Sequence, residues 1–190
     1  TLGSGRTGGG MNIVVWLLQW HTPTFLKRWA VHDLLMATAA AFGCAAPPVQ
    51  GLAYRDSLQL YAQFTQSQVA AMIRAGDDLT AVEQRLYEHA QQLGQQYARL
   101  LHIRNQAEMM VVGRLLYAML AIDFQSNAAG EVTIRRCYFS DFYTAEVCRV
   151  MSAVDRGLFA GLSENGQLRF SARLTEGAPC CLARFVLQGR

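Results

Sequence analysis

The chain has 190 residues, 52% of them apolar and 16% charged, with a formal net charge of +3. That length can bury a substantial core, and that balance describes a globular protein and not a disordered one. Lys27 is the single lysine among seventeen basic residues, and acidic and basic side chains stay interspersed, so no charge block suits a nucleic-acid partner.

In chain order, "TLGSGRTGGG" over 1–10 is rich in glycine with almost nothing apolar to bury. It reads as a flexible tail ahead of a single domain over 11–190, with Met11 as the natural start. Its glycine clusters lack a following Lys-Ser/Thr, so they do not form a phosphate loop. "MNIVVWLLQW" over 11–20 is too short to cross a bilayer and is not followed by a small-residue cleavage site. No membrane partner is expected, and the chain reads as cytoplasmic.

The half over 11–125 reads as helices. One begins with Thr22 as cap and Pro23 in the first turn, and stops at Gly43, with Phe25, Trp29, Leu34 or Leu35, and Met36 as its apolar face. A second runs over 54–75 with an interruption near Thr65. Thr80 and Glu83 have capping-box spacing for a third, through about Leu101. Asn105 and Glu108 repeat that spacing before "MMVVGRLLYAMLAI", which predicts a buried central helix over 105–122.

The half over 131–188 changes character. "EVTIRRCYF" predicts a strand over 132–139, and Thr144 caps a helix with Glu146 near its positive end. "ENG" is a turn. "QLRFSARLT" places Leu168, Phe170, Ala172 and Leu174 on one face, which should meet the central helix. A short "EGAP" link then leads into "CCLARFVL", an antiparallel hairpin. The fold class is α+β, with a helical N-terminal half packed on a small antiparallel sheet that carries an inserted helix.

The five cysteines are Cys44, Cys137, Cys148, Cys180 and Cys181. Cys180 and Cys181 are adjacent, so on a strand they face opposite sides and should not be joined; all five thiols are expected reduced. Cys180 reads as a small buried hydrophobe. No Cys-x-x-Cys is present, so neither a zinc knuckle nor a redox pair is signalled. Cys148 and Asp155, seven apart, share a helix face with Ser152 between them. Cys137 ends the strand before that helix and Cys181 opens the last strand, so one end of the sheet could gather all three cysteines. The histidines His21, His32, His89 and His102 lie in the helical half without an i, i+4 metal pair.

Over 136–185, "CYFSDFYTAEVC", "DRGLFAGLSENGQLRF" and "RLTEGAPCCLARF" resemble the C-terminal part of the L-2-amino-thiazoline-4-carboxylic acid hydrolase family. The matching positions are Cys137, Cys148, Asp155, Gly161-Leu162, and Gly177 with Cys181. Tyr138 stands where that family has proline, and Ala178 where it often has an acid. A related layout occurs in vinyl-reductase-type ligand-binding domains.

The resemblance implies a hydrolase that opens a C=N-containing heterocycle. Such chemistry needs a nucleophile at the amidine-like carbon and a proton donor for the ring nitrogen. Cys148 fits the nucleophile, because a helix start lowers a thiol's pKa; Asp155 would hold the cation or move a proton, with Cys137 beside them. Cys181 would line the substrate site. An arginine would take a substrate carboxylate, from Arg136, Arg149, Arg173 or Arg184, with Arg149 and Arg184 assigned to it. The substrate would be a small molecule, no cofactor is required, and a homo-oligomer is compatible. Two alternatives stay open: a non-catalytic small-molecule-binding domain, and a domain whose Cys137, Cys148 and Cys181 hold one zinc. A third, an interaction module using residues 13–20, rests on the early apolar run.

Overall fold

The computed structural model describes residues 22–163 and 166–187. The glycine-rich tail, the apolar run over 11–20, His21 and the turn over 164–165 lie outside them. Helix α1 (Thr24–Phe42) starts one residue later than expected, with Pro23 and not Thr22 at the N-cap. It ends at Gly43, which turns left-handed at φ 72° and frees its N–H, with that of Cys44, to bond the Ala40 and Ala39 carbonyls. The expected apolar face is displaced: Phe25, Trp29 and Met36 are 68%, 42% and 50% exposed. The buried stripe is Val31, Leu34, Leu35, Thr38 and Phe42, interleaved with alanines that let neighbouring helices approach. A helix this apolar carries two competing stripes, and large side chains mark the wrong one.

Helix α2 (Tyr54–Ala75) is unbroken at Thr65, whose hydroxyl bonds back to the Tyr61 and Ala62 carbonyls at 2.9 and 3.2 Å. Helix α3 (Leu79–Leu100) is capped by Asp78, whose carboxylate accepts from Thr80 N and Ala81 N, in place of the expected Thr80 box. Helix α4 (Gln106–Met119) is capped by Asn105, which accepts from Glu108 N at 2.9 Å, while the Glu108 carboxylate reaches Arg104 N at 2.8 Å. It stops three residues before Ile122. Ala121 takes φ 55°, and Ile122–Ser126 is a strand, β1, where the sequence reading runs the helix on to Ile122 and expects no strand. No glycine or proline marks that break.

Strand β2 (Glu131–Cys137) ends two residues before Phe139, where a 3₁₀ turn (Tyr138–Asp141) takes over. Helix α5 (Ala145–Leu162) follows, capped as expected by Thr144, whose hydroxyl accepts from Val147 N. Strands β3 (Gly166–Ala172) and β4 (Cys181–Leu187) pair antiparallel, giving a four-stranded antiparallel sheet in the order β1-β2-β4-β3. The link between β3 and β4 is longer than "EGAP": it spans 173–180 and contains a 3₁₀ turn (Leu174–Glu176) closed by Gly177 at φ 85°. Leu174 therefore leaves the strand, Leu168 is fully buried, and Phe170 and Ala172 are half-buried. Strand β3 packs on α5, while α4 packs on β1, which corrects the expected α4–hairpin contact. The architecture is α+β, with helices layered on one antiparallel sheet.

Candidate functional site

At one end of the α5–sheet interface lies a cavity of about 80 Å³. Cys137 reaches it from the end of β2, Cys181 from the first position of β4, and Cys148, Ser152 and Asp155 from one face of α5. The spacing of four and then three residues aligns those last three along the helix. Arg173 and Thr175 come from the link between β3 and β4. The remaining wall is largely apolar, including Leu34, Leu120, Ile122, Ile134, Met151 and Phe170.

The polar groups are tied into two sets. Tyr117, buried on α4, donates its hydroxyl to Asp155 Oδ1. Burial pushes the Asp155 carboxyl up to about 6, against the opposing pull of the Tyr117 hydrogen bond and of Arg173 and Arg156. Arg173 donates from Nε to Ser152 Oγ at 3.3 Å, and its guanidinium lies over the Phe170 ring, 5.2 Å from the centroid. Ser152 in turn donates to the Cys148 carbonyl at 2.7 Å. At the lip, Glu176 bonds Arg149 at 2.6 Å and sits 3.7 Å from Arg173 Nη1. These cations hold Glu176 below the usual carboxylate range.

The thiols contradict the expected activation. Burial pushes Cys137 up to about 12, and raises Cys148 and Cys181 as well. At Cys148 the neighbouring Asp155 and Cys181 add to the rise, while a hydrogen bond from Thr175 and the charge of Arg173 oppose it. Cys148 does sit at the start of α5, but its N–H is already spent on the Thr144 carbonyl at 2.9 Å. Desolvation beats the helix-end field here, and the thiol form prevails at neutral pH.

The structure brings together Cys137, Cys148, Asp155 and Cys181, and it moves the cation. Arg149 is on the surface, paired with Glu176, and Arg184 is exposed on β4 opposite Arg169. Neither lines the cavity; Arg173 does. Arg136 is exposed too. Cys180 is half-buried where full burial was expected, and all five cysteines are free thiols. His32, His89 and His102 do not line the cavity. No group of three or more His, Cys, Asp or Glu among the described residues is placed to hold a metal ion. Sequence reasoning missed Tyr117 and Thr175. A tyrosine inside the apolar run of α4 was the available sign, since a buried phenol needs a partner.

No protein-family model matches the chain, and no curated protein matches it. Among solved structures it is similar to a trafficking protein particle complex subunit 3 from Naegleria fowleri, determined covalently bound to palmitic acid. The two share 12% identity with a TM-score of 0.51, covering 71% of this chain and 97% of that one. That likeness establishes a shared α+β fold. No described helix is long and apolar enough to cross a membrane.

Proposed function

We propose that this pocket binds a small, largely apolar carboxylate without covalent chemistry, which is the ligand-binding alternative offered by the vinyl-reductase-type resemblance. One observation carries the reading: a guanidinium (Arg173) and a buried carboxyl (Asp155) face the same apolar-walled cavity. Arg173 is 18% exposed at its side chain; beyond Nε on Ser152 it has only a long ion pair from Nη1 to Glu176, so its terminal nitrogens can turn to a carboxylate. Asp155 accepts from a donor on the ligand, or donates when protonated. Covalent capture of a carboxylate as a thioester would call for a thiolate, and all three pocket thiols are raised.

The hydrolase reading keeps support from one feature. A carboxyl near 6 is matched to general acid–base work at neutral pH. In that version water, and not Cys148, adds to the amidine-like carbon; Asp155, held by Tyr117, passes the water's protons to the ring nitrogen as its bond to that carbon breaks and the carbon becomes a carbonyl. Calorimetric titration with 2-aminothiazoline-4-carboxylate separates the two. Binding without gain of one water by mass spectrometry, weakened by about tenfold or more in Arg173→Gln, supports the binding domain. Turnover that survives in Cys148→Ser and collapses in Asp155→Asn supports the hydrolase. Unchanged binding in Arg173→Gln would overturn the pocket's polar assignment.

A further inference from the structure

We propose that the ligand is an aliphatic carboxylate whose tail passes Leu34 and Leu120 into a second void between the helices. This rests on the binding reading above and names its ligand class. The void, about 20 Å³, lies among α1, α3, α4 and α5, walled by Ala30, Leu93, Leu116 and Leu158 besides Leu34 and Leu120. Its one polar neighbour among the described residues, Tyr97, spends its hydroxyl on Asp33 at 3.3 Å. Leu34 and Leu120 line both spaces, so two leucine side chains form the partition. A rotamer change at a leucine is a small rearrangement compared with moving backbone. An apolar void accepts hydrocarbon and refuses water, because it offers water no partner. The opposite end is built for the head group. Thr175 Oγ1 is buried with no partner of full hydrogen-bond geometry among the described residues, lying beside the Cys148 thiol and two residues along the link from Arg173. A carboxylate there would take bonds from both.

The test is calorimetric titration of the full chain with butanoate, hexanoate and octanoate, all below micelle-forming concentration. Affinity should rise along the series, octanoate binding about tenfold or more tighter than butanoate as added methylenes leave water. Leu116→Phe fills the second void without touching the first; it should abolish that rise and leave butanoate unchanged. Leu158→Phe blocks the same space from another helix and guards against a folding defect in the first variant. Thr175→Val should weaken all three carboxylates alike. Equal affinities along the series would sink the tail subsite while leaving the binding reading intact. A rise that persists in both phenylalanine variants would put the tail elsewhere. Failure of every carboxylate to bind would overturn both proposals.

Discussion

The two ends of the α5–sheet interface are built on opposite principles. At one end Phe159 stacks on Phe124 with centroids 5.5 Å apart and meets Phe185 at 6.0 Å, and Leu168 is fully buried beside them. Helix α5 crosses α3 there through Gly157 and Gly161, so closely that a β-carbon on Gly161 would overlap the Gln91 carbonyl. At the other end the same helix presents Asp155, Ser152 and Cys148 to a cavity. Tyr117 joins the two. Its ring packs 4.8 Å from Phe124, and its hydroxyl holds Asp155. The aromatic end supplies dispersion and apolar burial, whereas the pocket end holds a carboxyl that resists ionising. The binding reading proposed above rests on that carboxyl, held in a cavity at a cost to stability.

Variants can test that contrast, starting with the aromatic end. Phe159→Ala should lower stability by about 4 kcal/mol, because it opens a void among three other rings. Equilibrium urea unfolding measures it, and a loss near zero would mean the rings do not anchor the interface. Gly161→Ala should cost about 3 kcal/mol through overpacking against the backbone of α3. The same denaturation assay would show a neutral effect if the helices can simply separate.

At the pocket end the sign reverses. Asp155 has its folded pKa raised, from 3.8 to about 6, so its contribution is fully present below 3.8 and is lost as pH rises through about 6. Asp155→Asn abolishes that loss. At pH 8 the variant should be more stable than the parent by about 3 kcal/mol, and the gain should vanish below pH 4. Melting curves at both pH values would expose a variant that is destabilised throughout. The smallest effect is expected at the lip, where Arg149→Ala removes an exposed ion pair with Glu176 and should leave the melting temperature unchanged. A clear drop would show that this pair fastens the link over 173–180.

The aromatic end was partly legible in the sequence and the pocket more so. Period-two alternation placed Leu168 inside, and capping chemistry placed Thr144 and Asn105. Seven-residue spacing put Cys148 and Asp155 on one face, and both line the cavity. Strand β1 was illegible because Ala121, with φ 55°, breaks the helix without any residue type that announces a turn. Arg149 lost its assigned place to Arg173 because helical spacing says nothing about which surface cation a neighbouring loop captures; here Glu176 captures Arg149. The thiol acidity failed for a similar reason. Local sequence reveals the helix start and Asp155 one face along, but desolvation at Cys148 depends on β4 and the link before it, which arrive from elsewhere in the chain.

The most direct measurement is the titration of Asp155 itself, followed by carbon NMR of the labelled carboxyl and assigned by loss of the signal in Asp155→Asn. A midpoint near 6 is the result required by a buried carboxyl facing a cavity. A midpoint in the ordinary carboxylate range, close to 3.8, would show that water reaches the group freely, and would contradict the account of this pocket.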